Sequence, residues 1–106
     1  MLKLLAMTLP GAVMTCQWCP SQCIAHFLIH ASTSGPDVCY LQDLFTSPEA
    51  RGQGAGRALI AAVIDWARDR GCVRVYWNTQ ASNATARRLY DQVAENKGFI
   101  RYQVDC

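Results

Sequence analysis

Seven consecutive residues, Arg51, Gly52, Gln53, Gly54, Ala55, Gly56 and Arg57, form a glycine-rich turn between a strand-like run at 38–46 and an amphipathic helical run at 57–70. Glycine lets the backbone approach an anion closely and take positive φ, so successive N–H groups and the start of the following helix can face a pyrophosphate. The arginines bring delocalised charge to the same place. A nucleoside-triphosphate loop would end in Gly-Lys-Ser/Thr, whereas here Gly56 is followed by Arg57 and Ala58. The dinucleotide fingerprint fails too. Gly52-x-Gly54 leads to Arg57, Gly54-x-Gly56 leads to Leu59, and the next strand ends Tyr76-Trp77-Asn78 without an acidic residue for a ribose.

A third phosphate pattern fits. The run from Leu41 through Gln42, Asp43, Leu44, Phe45, Thr46, Ser47 and Pro48 to Arg57 resembles the acetyl-CoA motif of the GCN5-related N-acetyltransferases (GNAT). Downstream, Asn83-x-x-Ala86-x-x-Leu89-Tyr90 followed by Gly98-Phe99 is similar to that family's second signature. The resemblance covers about 24–103 and is nearest to the polyamine and histone or amino-acid branch. It implies acetyl-CoA as cosubstrate, a small-molecule or peptide amine as acceptor, and direct attack in a ternary complex without a metal. Cofactor contacts would come from Leu44, Phe45 and Thr46, whose backbone would pair with pantetheine like an added strand. Backbone N–H groups of Gly52, Gln53, Gly54, Ala55, Gly56 and Arg57 would hold the pyrophosphate, beside Arg51. A thioester carbonyl held by such an N–H is polarised, and the oxyanion formed on amine attack is stabilised by the same donor.

The resemblance makes Tyr90 the general acid that protonates the departing thiolate; from its place on an apolar helix face alone, it is a core tyrosine. Asn83 is both the family's pantetheine contact and a suitable helix cap. Some polyamine-type members carry glutamate where Gln42 stands, and glutamine is no base. Regular strand alternation turns Asp43 to the opposite face. Water is left to take the amine's proton, or His26 or His30, which read otherwise as simple strand residues, or catalysis is weak.

These groups need an α/β frame. Runs at 24–30 and 38–46, joined by Ser32-Thr33-Ser34-Gly35-Pro36-Asp37, suggest an antiparallel hairpin. Apolar residues at Leu59, Ile60, Val63, Ile64, Trp66 and Ala67 recur with helical period, and Gly71 is a stop. A strand at 73–79 should lie parallel to 38–46. Ser82 or Asn83 caps a second helix with Ala86, Leu89, Tyr90, Val93 and Ala94 on its apolar face, and a last strand is expected at 99–104. The expected fold is thus a mixed central sheet with a β-hairpin, a β-loop-α-β acetyl-CoA unit, a second helix and a C-terminal strand, a partial GNAT fold.

With 106 residues, 51% hydrophobic and 17% charged, the sequence suits one globular domain, 1–106, with its cofactor-binding core at 24–106. A net charge of +2 does not announce nucleic acid, and no segment is long enough to span a membrane. Residues 1–23 are atypical. The family usually carries a strand, two helices and another strand before the equivalent of 24–30, and no helical repeat stands there. The alternative to an enzyme is therefore a non-catalytic acyl-CoA-binding or subunit-pairing module, with a homodimer able to cover open sheet edges. Cys16, Cys19, Cys23 and His26 lack standard zinc spacing, and no metal is expected. The six cysteines suit reduced thiols in a cytoplasmic protein, since 1–14 has no convincing cleavage site for a secretion signal.

Overall fold

A computed structural model describes residues 2–8, 11–16, 23–33, 35–47 and 54–106. Five strands form one sheet in chain order: β1 (Leu2–Thr8), β2 (Gly11–Cys16), β3 (Cys23–Ala31), β4 (Asp37–Thr46) and β5 (Val75–Tyr76). The first four pair antiparallel, and β4 pairs parallel with β5. The helix α1 (Ala55–Asp69) makes the crossover between β4 and β5, and α2 (Ala84–Val93) follows. The hairpin, the crossover helix and the parallel pair stand where the sequence places them.

Alternation along the strands decides which side carries the core. Ala25 and Phe27 of β3 and Cys39 and Leu41 of β4 are buried with Leu59, Ile60, Val63 and Ala67 of α1, and Ala12 and Met14 of β2 extend that cluster. Phe27 meets Trp66 edge-on, ring centroids 4.8 Å apart. The helix stops as its local sequence demands. Gly71, at φ +81°, lets its own N–H donate to the Arg68 carbonyl and the Cys72 N–H donate to Ala67, satisfying carbonyls that the last turn leaves open. Asn83, not Ser82, caps α2, its side chain accepting from the Ala86 N–H at 3.2 Å.

Three expectations change. Residues 1–23 contain β1 and β2, which continue the sheet beyond the hairpin. The strand expected at 73–79 is reduced to Val75 and Tyr76, preceded by a backbone bond from the Val73 N–H to the Asp37 carbonyl, and its register with β4 ends at Tyr76. The strand expected at 99–104 does not form. Gly98, at φ +81° and with its N–H held by the Asn96 side chain, directs the chain off the sheet. Phe99, Ile100, Tyr102 and Val104 are then 75–91% exposed. Alternating apolar residues favour a strand only where an edge receives them.

Candidate active site

The site grows from two irregularities in β4. The first is the brevity of its pairing with β5. Cys39 donates to the Arg74 carbonyl at 2.9 Å, and the register ends at Tyr40 opposite Tyr76. Beyond that pair, residues 41–44 and 77–79 stand on either side of a cavity of about 230 Å³. The second irregularity is a register shift. Phe27 lies opposite Leu41 and His26 opposite Asp43, so Gln42 is an extra residue in β4.

That bulge corrects the reading of Asp43. Strict alternation sends neighbours to opposite faces, but an extra residue breaks the period, and Gln42 and Asp43 both line the cavity. It also sets the backbone. Cys39 points its N–H away from β3, and positions opposite alternate β3 residues repeat that orientation. Those positions are Leu41, opposite Phe27, and Leu44, opposite Ala25. Leu44 therefore turns its backbone toward the cavity that it helps to line.

The far wall comes from α2. Asn83 and Tyr90 line the same cavity, with Trp77, Asn78 and Thr79 between the elements. Tyr90 is partly buried, its ring 5.4 Å from Trp77 in an edge-on contact. Burial holds its phenol above the ordinary tyrosine range, so it keeps its proton. Asp43 is the one Asp, Glu, Lys or Arg among the lining residues.

The anion cradle lies at the start of α1. Gly54 takes φ +80° there, a left-handed conformation that a side chain would strain. Its carbonyl accepts from Ala58, which leaves the N–H groups of Ala55, Gly56 and Arg57 in the first turn, with no acidic side chain there to occupy them. Gly56 brings this turn against α2: an added Cβ would stand 3.3 Å from Leu89 Cδ2 and 3.7 Å from Thr46 Oγ1. The Arg57 guanidinium donates to the Gln92 side chain of α2.

The structure thus brings Leu44, Asn83 and Tyr90 around one cavity, and sets Gly54, Ala55, Gly56 and Arg57 at a helix N-terminus. Thr46 stands beside that turn, whereas Phe45, opposite Ile24 and 47% exposed, is not among the lining residues. Arg51, Gly52 and Gln53 lie outside the described residues. His30 is engaged elsewhere, its Nε2 2.7 Å from the Tyr76 hydroxyl. Leu41, Asp43, Trp77, Asn78 and Thr79 are cavity residues that sequence reasoning did not place in the site. Their signal is the end of strand pairing, which no local pattern encodes.

This arrangement has known counterparts. A model of the acetyltransferase (GNAT) family matches residues 15–94, most of the chain. The chain belongs to the GNAT family. It is 38% identical over 80 residues to a D-amino-acid N-acetyltransferase of Saccharomyces cerevisiae, covering 74% of this chain and 50% of that one. An uncharacterized N-acetyltransferase of Bacillus subtilis is 38% identical over 74 residues, with 68% and 50% covered. The chain spans about half the length of these curated relatives. Among solved structures, an integron cassette protein of V. cholerae superposes with a TM-score of 0.80 at 23% identity, covering 92% of this chain and 62% of its own. An aminoglycoside acetyltransferase from a soil metagenome gives 0.81 at 16% identity, covering 93% and 68%. These likenesses show the GNAT fold. Among the described residues no group of three or more His, Cys, Asp or Glu could hold a metal, and no helix is long and apolar enough to cross a membrane.

Proposed function

We propose that this chain transfers acetyl from acetyl-CoA to a primary amine by direct attack. The observation that carries the reading is the convergence of Leu44, Asn83 and Tyr90 on the cavity where β4 and β5 part. The residues present fit the cosubstrate. A left-handed Gly54 opens a helix whose first-turn N–H groups suit a pyrophosphate, with Arg51, Gly52 and Gln53 preceding it in sequence. The backbone of β4 at Leu44 suits a pantetheine arm, as Phe45 and Thr46 would in continuing that strand. Acetyl-CoA, when bound, supplies an activated acyl group as a thioester.

The chain's own groups then divide the work. The Leu44 N–H is a donor aimed into the cavity and suits a carbonyl oxygen that gains negative charge. Tyr90 holds a proton at its hydroxyl and can give it to a leaving thiolate. Asn83 fixes the start of the helix that carries Tyr90. The names of relatives suggest acceptors to try, among them D-amino acids, thialysine and aminoglycosides. The test is thiol release from acetyl-CoA with that panel. Binding of acetyl-CoA without turnover on any amine would favour the second reading, an acyl-CoA-binding module, to which Gln42 lends support because an amide in the cavity cannot act as a base.

A homodimer belongs to the same proposal. The exposed apolar residues at 99–104 and the single pairing partner of β5 favour contact with a second copy. Light scattering at two concentrations tests it, and a monomer throughout overturns it.

A further inference from the structure

Resting on the acetyltransfer reading, we propose that Asp43 and His26 form the acceptor end of the site, Asp43 holding the amine as a cation and His26 taking the proton it must shed. The bulge at Gln42 carries the argument. It places Asp43 on the cavity wall, where it is the one Asp, Glu, Lys or Arg, and directly opposite His26 of β3. His26 Nδ1 lies 3.7 Å from Asp43 Oδ2, with the two side chains 47% and 68% exposed. That separation exceeds a hydrogen bond, and the two form an ion pair only when the imidazole carries a proton. A carboxylate there suits an ammonium, and an accessible imidazole beside it suits the proton.

Amines arrive protonated at neutral pH and attack only when neutral. The ammonium gives one N–H proton to His26, and its nitrogen then forms a bond to the thioester carbonyl carbon. As the C–S bond breaks, the thiolate takes the Tyr90 proton. The nitrogen's second surplus proton leaves to solvent, His26 passes its proton to solvent, and solvent restores Tyr90. Atoms and charges balance with acetyl-CoA and amine as the only reactants. His30 is a weaker candidate, because its Nε2 already meets the Tyr76 hydroxyl.

The test compares the unaltered protein with Asp43→Asn and His26→Gln, using D-lysine, thialysine and kanamycin as acceptors. Both variants should retain the rise in melting temperature given by acetyl-CoA, which separates this assignment from the CoA reading. Asp43→Asn should raise the amine KM about tenfold. His26→Gln should lower kcat by about 10²-fold at pH 7. At pH 10, where a much larger share of the amine is neutral unaided than at pH 7, that deficit should shrink. The groups facing His26 from its paired strands are Asp43 on β4 and Val13 on β2, so Asp43 is the charge to account for among them. Tyr90, raised by burial, affects both proteins alike and cancels in their ratio. An unchanged kcat, or the same deficit at both pH values, overturns the role of His26, and an unchanged KM in Asp43→Asn overturns that of Asp43. Stabilisation by acetyl-CoA with no thiol release on any of the three amines overturns the acetyltransfer reading and the acceptor end with it, and leaves the CoA site standing. No stabilisation of the unaltered protein overturns the CoA reading and this assignment together.

Discussion

Tyr90 is held protonated by its surroundings, since burial disfavours the phenolate. Tyr90→Phe removes the proton and keeps the ring against Trp77. Turnover should fall by about 10²-fold or more, while stabilisation by acetyl-CoA stays; equal turnover would return the residue to a packing role. Cys39 gives a second residue-level expectation. It is fully buried, and burial first, with Cys72 adding, pushes its thiol up from 9.0 to about 11. The unfolded chain releases that proton near pH 9 while the folded one holds it until about pH 11. Stability should therefore decline as pH rises through this window, and Cys39→Ala should flatten that part of the melting curve. Asp43 shows where residue-level reading failed. Its type is visible in the sequence, but its direction follows from an extra residue in β4, and a bulge arises from pairing with β3.

Elements with local signals were legible. The α1 period, its stop at Gly71 and the Asn83 cap each rest on residues within a turn or two of one another. Asn83→Ala should accordingly cost about 1 kcal/mol in thermal or denaturant unfolding. Contacts between elements were not legible. Gly56 looked like one more phosphate-loop glycine, yet it also sets the approach of α1 to Leu89 of α2. Gly56→Val should cost about 1–3 kcal/mol through that crowding and also diminish the acetyl-CoA shift. Gly54→Ala should be destabilising through φ alone, since open space surrounds its Cβ position. The short β5 and the unpaired run at 99–104 escaped prediction because strand formation depends on an edge elsewhere in the chain.

For the whole molecule, a ligand bound by the folded state alone raises stability with the logarithm of its concentration above its Kd. Acetyl-CoA at 100 times its Kd should add about 2.7 kcal/mol, which for a chain of this size is a rise of roughly 10–20 °C in melting temperature. The C-terminal segment supplies the contrasting case. Phe99 is 91% exposed, so Phe99→Ser should change the unfolding free energy of the monomer by no more than about 0.5 kcal/mol. A larger loss would mean that 99–104 packs onto a sheet after all.

The parting of β4 from β5 has a consequence for how this chain can vary over generations. At Leu44 it offers a main-chain N–H, and every residue except proline carries the same donor. On the proposed acetyl-CoA reading, a pantetheine arm would be recognised there without regard to the side chain, so drift among ordinary residues at this position would leave that recognition standing. Proline is the substitution that the backbone itself forbids.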